Sequence, residues 1–327
     1  MSKHYELASS PKTVHWGYFD AALEPQLVVE SGDSVTLHCV SGGPEEMPES
    51  GRGVLAEHRA IHEELKPRMR GHILTGPIGV RGAVPGDALE VRIHSVELRT
   101  DWGYNVQRPL LGTLPEDFPQ LTRMHIPIDR TRRVATLPWG TELALAPFFG
   151  IMGVAPPPSY GAVSSIEPRE YGGNIDCKEL VAGTTLLLPV WADGALFSAG
   201  DGHGVQGDGE VCLTALETCL SGRFELILHK DFGLRAPRAL TASHYITFGF
   251  DPDLDDAAKH ALRDMIKLIG ELTDLSATRA YTLCSLACDL RVTQLVDGNK
   301  GIHAMLPRSA LSRARDYPSA AVWTPGR

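Results

Sequence analysis

The sequence predicts an α+β fold that is mainly β, a β-sandwich with an added α+β portion near the C-terminus. Two patterns support this fold class. Short runs rich in β-branched residues, separated by Gly, Pro and Asp turns, fill most of the chain before residue 210. Strong amphipathic helical spacing follows only after residue 211. With 327 residues, the chain is long enough to bury a substantial core.

The predicted strands come first. The stretch QLVVESGDSVTLHCV, residues 26–40, places a Ser-Gly-Asp turn between two β-branched runs, and residues 71–98 repeat this pattern. Between them, VLAEHRAIHEEL, residues 54–65, has apolar residues at helical spacing and predicts a short helix. Residues 101–195 are rich in Pro and Gly, and the pieces HIPID, RRVATLP and TTLLLPVW predict further strands joined by long loops.

The strongest helix pattern covers residues 253–272, where acidic residues occupy the first turn. Residues 276–296 begin as a helix behind Ser276 and end as a strand. We therefore predict a mainly β-sandwich portion over residues 1–210 that carries most of the site. An α+β portion over residues 211–327 packs on it, so that the two form one intertwined unit.

Charge and composition limit the classes of partner. The net charge is −9 and the basic residues are scattered among acids, which argues against a nucleic-acid partner. No apolar run is long enough to span a bilayer, so no membrane partner is expected. The first twenty residues lack the apolar core of an export signal, and the six cysteines show no CxxC pairing. These features predict a cytoplasmic protein.

The stretch GDGHGVQGDGE, residues 200–210, is the clearest candidate site. Glycine costs conformational entropy on folding, so such a cluster indicates unusual dihedrals or a close approach by a ligand. Asp201 and His203 are two apart, which in extended backbone places both side chains on one face. Asp208 and Glu210 repeat this spacing, as do Asn174 and Asp176 in GGNIDCKEL, residues 172–180.

These residue types predict a metal centre. Asp176, Asp201 and His203 form a mixed set of oxygen and nitrogen ligands, which suits zinc or a similar divalent ion, whereas an all-oxygen set would favour calcium. Such an ion activates water, and a nearby carboxylate moves the proton, which is hydrolase chemistry. Any single Asp-Gly pair here is more simply a turn, but the whole cluster favours a ligand site.

A rival motif is EHRAIHEE, residues 57–64, where His58 and His62 lie four apart on one predicted helical face. Arg59 stands where the glutamate of a zinc-peptidase HExxH motif belongs, so an ordinary helix is the better interpretation. No glycine-rich phosphate loop is present in the sequence either.

Four stretches resemble the acetamidase/formamidase family. They are HILTGPIGVRGAVPGDALEV (72–91), GGNIDCKEL (172–180), LLLPVWADGALFSAGDGHGVQGDGEVCLTALE (186–217) and YTLCSLACDLRVTQLVDGNKGIHAMLP (281–307). The resemblance implies a jelly-roll sandwich, a cytoplasmic homo-oligomer, and hydrolysis of short amides to a carboxylate and ammonia. It also implies a divalent metal, commonly zinc. The positions that match the family pattern are Asn174, Asp176, Asp201, His203, Gln206, Asp208 and Glu210.

The chemistry of the residues then assigns roles within a metal-dependent amidohydrolase. Glu210 is the predicted proton-transferring base, and Asp208 is able to exchange roles with it. Asn174 and Gln206 are predicted to position the amide, and His72 is predicted to stabilise the tetrahedral oxygen with them. Glu217 is predicted as a partner that orients the His203 ring, with a solvated side chain as the alternative.

The alternative function is a non-catalytic β-sandwich that binds calcium or a polar ligand through the Asp/Gly-rich loop. Two features leave the substrate open. Family members often carry alanine where this chain has Gly202 or Gly204, and the Pro-rich stretch at residues 153–173 can reshape the mouth of the pocket.

Overall fold

The protein is described by a computed structural model that covers residues 2–50, 53–311, 314–315 and 317. The α-helices are α1 (Ala56–Glu64), α2 (Leu254–Leu272) and α3 (Ala277–Ala287). The strands in chain order are β1 (His4–Ala8), β2 (Val14–Trp16), β3 (Tyr18–Phe19), β4 (Leu27–Val29), β5 (Asp33–His38), β6 (Ile73–Val80), β7 (Ala88–Leu98), β8 (Trp102–Gln107), β9 (Thr122–Asp129), β10 (Val134–Thr136), β11 (Glu142–Ala144), β12 (Phe148–Gly153), β13 (Val163–Ser164), β14 (Gly172–Asn174), β15 (Thr185–Pro189), β16 (Phe197–His203), β17 (Leu220–His229), β18 (Arg238–Leu240), β19 (His244–Asp251), β20 (Asp289–Gln294) and β21 (Lys300–Pro307).

The strands of the described residues form four sheets. The largest has nine strands in the order β1-β5-β17-β7-β15-β18-β19-β21-β20, and the second has six, in the order β14-β12-β16-β6-β2 with β4 beside β6. A four-stranded sheet has the order β11-β10-β9-β8, and β13 pairs with β3. Pairing is antiparallel except between β1 and β5 and between β4 and β6.

One hydrophobic core joins the two largest sheets. Buried residues of β5, β7, β15 and β17 from the nine-stranded sheet pack with those of β6, β12 and β16 from the six-stranded sheet. Phe224 of β17 marks this contact, since its ring lies 5.4 Å from the ring of Phe149 on β12 and 5.6 Å from that of Phe197 on β16. Burying such large apolar side chains is the main source of stability for this arrangement.

The two long helices lie late in the chain, as predicted. Asp253 caps α2 by accepting hydrogen bonds from the backbone N–H groups of Asp255 and Asp256. Ser276 caps α3 by accepting from the N–H of Arg279. The buried face of α2 packs with α3 and with Tyr245 of the sheet in a second hydrophobic cluster, so this end of the nine-stranded sheet is covered by helices.

A buried arginine on the nine-stranded sheet forms ion pairs with helix α2. Arg238 of β18 donates from Nε and Nη2 to both carboxylate oxygens of Asp264 on α2, each at 2.7 Å. Its Nη1 donates to Glu271, also at 2.7 Å, and to the hydroxyl of Tyr317 at 2.9 Å. Because Arg238 is almost fully buried, these bonds offset the cost of removing its charge from water.

The predicted α+β, mainly β fold is confirmed, and the short helix predicted at residues 54–65 is present as α1. The nine-stranded sheet takes strands from both sides of residue 210. The division into 1–210 and 211–327 stays a prediction, and residues 318–327 of the second portion lie outside the described residues. Among the helices of the described chain, none has the length and apolar character needed to cross a membrane.

Candidate active site

The centre of the site is β16, a buried strand of the six-stranded sheet between β12 and β6. Asp201 and His203 lie at its C-terminal end. Oδ2 of Asp201 is 3.1 Å from Nε2 of His203. The two side chains predicted to meet from their spacing therefore do meet.

A second loop brings Asp176 to the same place. Asp176 follows β14, where Asn174 pairs with Ile151 of β12, and its backbone N–H donates to the carbonyl of Gly150 at 3.1 Å. Oδ1 of Asp176 lies 3.8 Å from Nδ1 of His203. Acidic and imidazole side chains from a strand and a separate loop thus converge on one buried point.

Three further buried carboxyl groups complete the cluster. Oε1 of Glu210 lies 4.0 Å from Nε2 of His203, and Oε1 of Glu217 lies 3.1 Å from the same nitrogen. The backbone of Glu217 bridges to that of His203, which explains the close approach. The carboxyl of Asp297 lies against that of Asp176. The site therefore holds one imidazole among five buried acids.

Backbone strain is concentrated at the same residues. Asp176, Asp201 and Glu210 have φ values of 52°, 54° and 45°, in the left-handed region that L-residues other than glycine rarely adopt. Such conformations cost free energy and persist where the surrounding structure fixes them, which is common at active sites. Three strained acids in one cluster favour a functional site over a set of ordinary turns.

Gly150 on β12 leaves the space in which the acids and the imidazole meet. A β-carbon at this position would overlap Oδ1 of Asp176 and would lie 2.7 Å from Oδ2 of Asp201 and 2.8 Å from Cε1 of His203. Both distances are shorter than real contacts of a β-carbon. Only glycine at position 150 is compatible with this arrangement.

Burial makes ionisation of most of these acids costly. It raises the pKa of Asp176 to about 6 and that of Glu217 to about 8. Burial also raises the pKa values of Glu210 and Asp297 well above their usual range, and repulsion from Asp176 adds to both shifts. In the absence of a cation, the cluster contains more carboxyl groups than it can ionise at neutral pH.

His203 and Asp201, in contrast, are favoured in their charged forms. Burial opposes charge on His203, but the carboxylates of Glu217 and Asp201 outweigh it and raise its pKa well above the usual range. Burial also opposes charge on Asp201, but the positive charges of His72 and His203 lower its pKa. Positive charge at this point is therefore strongly favoured.

These observations fit a divalent cation. Within the described residues, no donor group reaches either carboxylate oxygen of Asp176, Oε2 of Glu210 or Oδ2 of Asp297, although all four atoms are buried. Two overlapping groups place one potential ligand atom per residue within 4.8 Å of one another: Asp176, His203 and Glu210, and Asp201, His203 and Glu217. Buried acids without donors and a histidine between them are suitable ligands for such an ion.

The sequence model of the acetamidase/formamidase family matches residues 22–160 and 158–312, which together are most of the chain. The chain belongs to the acetamidase/formamidase family. The site residues from Asn174 to Glu217, and also Asp297, lie in the second matched region.

This family member is similar in sequence to a known formamidase and similar in fold to solved structures of the family. The formamidase of Methylophilus methylotrophus is 30% identical over an alignment of 191 residues, with coverages of 43% of this chain and 47% of that protein. The chain therefore spans about half the length of this relative. The crystal structure of a recombinant predicted acetamidase/formamidase from the thermophile Thermoanaerobacter tengcongensis has a TM-score of 0.83 at 28% identity, covering 95% of this chain and 98% of that one. An acetamidase structure from Bacillus halodurans has a TM-score of 0.81 at 28% identity, with coverages of 94% and 98%.

Two residues of this acetamidase/formamidase family member, Asp208 and Gln206, do not lie where their predicted roles in the site would place them. Asp208 is exposed, and its Oδ2 lies 3.0 Å from Nζ of Lys178, so it does not join the buried cluster. Gln206 is buried in the cluster, but its Oε1 lies 2.9 Å from Nδ1 of His203 and its Nε2 donates to the carbonyl of Asp176 at 2.8 Å. Both ends of its amide are thus hydrogen-bonded to protein groups, which favours a structural role for Gln206.

His72 and Asn174 lie at the edge of the cluster. Nε2 of His72 is 3.9 Å from Oδ2 of Asp201, and the side chain is 28% exposed, so His72 stands on the side that solvent reaches. Nδ1 of His72 lies 3.2 Å from Oγ of Ser165. Asn174 is buried, and its Oδ1 has no hydrogen-bond partner among the described residues.

His58 and His62 of α1, the alternative metal-binding motif in the sequence, form hydrogen bonds to a neighbouring loop. Nε2 of His58 and Nε2 of His62 lie 3.0 Å and 3.1 Å from the carbonyl oxygen of Gly42, which can only accept hydrogen bonds. Neither histidine belongs to a potential metal-binding group among the described residues. The helix therefore fixes the loop that contains Ser41, whose hydroxyl donates to Oε2 of Glu217 at 3.4 Å.

Proposed function

We propose that the chain is an amidase that hydrolyses a short linear amide, resembling formamide or acetamide, to a carboxylate and ammonia. The observation that carries this proposal is the convergence of five buried acids on the imidazole of His203 in a member of the acetamidase/formamidase family. Water is the proposed nucleophile, because acids around an imidazole are suited to hold a divalent ion that activates water.

A divalent ion, zinc in our proposal, would be held by Asp201 and His203 together with a further carboxylate. When bound, such an ion polarises a carbonyl and lowers the pKa of water. Nitrogen and oxygen ligands together suit zinc better than the all-oxygen sets that calcium prefers. Of the two groups of potential ligands, one joins His203 to Asp201 and Glu217, and the other joins it to Asp176 and Glu210, so the candidates for the further carboxylate are Glu217 and Asp176.

Glu210 is the proposed proton-transferring group. Its Oε1 is 4.0 Å from Nε2 of His203, and its buried Oε2 has no hydrogen-bond partner among the described residues, which leaves Oε2 for the proposed water. Glu210 accepts the proton of the attacking water and delivers it to the departing nitrogen, so that the acid is regenerated as a carboxylate. Asp208, exposed and paired with Lys178, is not a candidate for this step.

Asn174 and His72 are the proposed substrate contacts. Asn174 is buried at the end of β14, two residues before Asp176, and its amide is suited to hydrogen bonding with the amide or oxygen of a substrate. His72 lies on the accessible side of Asp201 and is proposed to stabilise the oxygen on which negative charge develops.

The alternative is a non-catalytic sandwich that binds calcium. The observation in its favour is the number of hard carboxylate oxygens in the cluster. The central position of His203, 3.1 Å from two of them, favours zinc instead. The jelly-roll arrangement, the assembly of several copies and a cytoplasmic location stay predictions of the sequence.

The experiment that tests the proposal is an ammonia-release screen over formamide, acetamide, longer aliphatic amides, aryl amides and carbamates, with metal analysis of the same preparation. Stoichiometric zinc with release from at least one amide supports the amidase. Calcium as the sole metal, with no release from any amide, supports the binding protein.

A further inference from the structure

We propose that the ion is held at Nε2 of His203 by Asp201 and Glu217, and that Gln206 is the positioning residue that enforces this choice over the alternative with Asp176. The inference rests on the proposed function only in assuming that the cluster holds a divalent ion. It replaces one of the three ligands predicted from the sequence.

The orientation of Gln206 follows from the groups around it. Its Nε2 lies 2.8 Å from the carbonyl oxygen of Asp176 and 3.4 Å from that of Thr293, and both oxygens can only accept hydrogen bonds. The NH₂ group must therefore face these carbonyls, which leaves Oε1 toward His203.

The tautomer of His203 follows from that orientation. Oε1 of Gln206 can only accept, and it lies 2.9 Å from Nδ1 of His203, so Nδ1 carries a hydrogen. A protonated ring nitrogen cannot bind a metal ion. The lone pair available to an ion is therefore on Nε2, and a hydrogen bond from the other ring nitrogen to a fixed acceptor is the usual arrangement for a metal-binding histidine.

The carboxylates at the Nε2 edge are Asp201 and Glu217, each at 3.1 Å. Glu217 is held in place on both oxygens, because Oε1 accepts from the N–H of Ala215 at 3.0 Å and Oε2 accepts from the hydroxyl of Ser41 at 3.4 Å. Two acids converging on one lone pair provide a negatively charged, preorganised ligand set.

Asp176 stands at the other edge of the ring. Its Oδ1 lies 3.8 Å from Nδ1, the nitrogen already bonded to Gln206, and its carboxyl contacts Asp297. For Asp176 to share an ion with the imidazole through Nδ1, the hydrogen bond between His203 and Gln206 would have to break. We therefore assign Asp176 to the surroundings of the ion and not to its ligands.

The first test compares two isosteric variants that each remove one buried charge, Glu217→Gln and Asp176→Asn. Zinc affinity of purified protein is measured by competition with a chromophoric chelator, and the absorption spectrum is recorded after loading with Co²⁺. We expect Glu217→Gln to weaken zinc binding by more than the roughly 100-fold that changes around a ligand cause, and to alter the Co²⁺ spectrum. Asp176→Asn should stay within about tenfold of the wild type. The reverse pattern would overturn the assignment.

The second test measures the tautomer directly in the wild-type protein. Long-range ¹H–¹⁵N NMR of zinc-loaded protein labelled at histidine distinguishes a protonated Nδ1 from a protonated Nε2. The His203 signals are identified by their loss in His203→Gln. We expect hydrogen on Nδ1 and metal on Nε2. Hydrogen on Nε2 with metal on Nδ1 would refute the inference.

A third comparison isolates Gln206. Gln206→Leu removes the acceptor for the Nδ1 hydrogen and should weaken zinc binding by about 10- to 100-fold. Gln206→Glu keeps an acceptor and should retain more affinity than Gln206→Leu. Equal zinc affinity and identical Co²⁺ spectra for wild type and Gln206→Leu would contradict the positioning role.

Ammonia release measured on the same preparations separates this inference from the proposed function. If the wild type hydrolyses amides but Asp176→Asn alone loses zinc, the ligand assignment fails and the amidase stands. If Glu217→Gln loses zinc and Asp176→Asn retains it, but the wild type hydrolyses no amide, the ligand assignment stands and the proposed activity fails.

Discussion

The backbone of Gly150 lies so close to Asp176 that a β-carbon at position 150 would overlap Oδ1 of that carboxyl. The same β-carbon would also come within 2.7 Å of Oδ2 of Asp201 and within 2.8 Å of Cε1 of His203. Gly150 is therefore part of the shape of the site although it contributes no functional group.

Gly150→Ala should abolish the proposed amidase activity. The added methyl group must displace the acids or the imidazole, and a shift of about 1 Å in catalytic groups lowers activity by about 100-fold. Overpacking should also lower the free energy of unfolding by about 1–3 kcal/mol. Ammonia release and urea unfolding check the two effects. Gly207→Ala is the matched control, since nothing lies within 4 Å of a β-carbon there. Equal activity of the two variants would contradict the role of Gly150.

Glu210→Gln should keep the fold and the metal but lose activity by about 100- to 10,000-fold, because a neutral amide cannot accept the proton of the attacking water. The comparison is Asp208→Asn, which changes the same functional group two residues away. Asp208 is exposed beside Lys178, so this variant should keep most of its ammonia release. Activity that depends on Asp208 and not on Glu210 would reverse the proposed roles.

The contrast between these two acids shows where reasoning from spacing fails. The i, i+2 rule assumes the alternation of a strand, and it holds for Asp201 and His203, which both lie on β16 although Asp201 itself has φ of 54°. Asp208 and Glu210 lie outside the strands, and Gly209 between them has φ of 95°. The alternation of side chains is lost there, and only Glu210 turns inward.

Other parts of the site carry too little sequence signal to be predicted. Asp297 lies in a Val-Asp-Gly turn more than a hundred residues from Asp176, and an acid in a turn is ordinary. Gly150 is one glycine in an apolar strand. Glu217 was predicted to orient His203, but its direct approach to Nε2 depends on a backbone bridge between distant segments. The strands and late helices were predictable because their signals are local.

Removal of the metal should abolish activity and also destabilise the fold. Without a cation, the buried acids repel one another, and a bound ligand stabilises the folded state in proportion to the logarithm of its concentration over its dissociation constant. We expect dialysis against a chelator to stop ammonia release and to lower the melting temperature. Added zinc should restore both, and calcium should not restore activity. Full activity in protein shown to be metal-free would contradict the proposed chemistry.

The last prediction concerns acid stability and a histidine outside the acid cluster. His15 on β2 is buried, with Nδ1 2.6 Å from the carbonyl of Tyr18 and Nε2 2.9 Å from Oγ of Ser198. Burial lowers its pKa to about 4, although the hydrogen bond to Tyr18 opposes the shift. The unfolded chain takes up a proton below its ordinary pKa of 6.5, whereas the folded protein does not. Stability therefore falls as the pH falls from 6.5 toward 4.

Comparison of the wild type with His15→Asn, which cannot titrate, isolates this contribution. Between about pH 7.5 and about pH 5, the wild type should lose about 2 kcal/mol more of its unfolding free energy than the variant does. Urea denaturation at both pH values measures the difference, and His260→Asn, on the exposed face of α2, serves as the control. The His260 variant should follow the wild type. An identical pH dependence for wild type and His15→Asn would mean that His15 is protonated in the folded protein, in conflict with its burial against Ser198 and Tyr18.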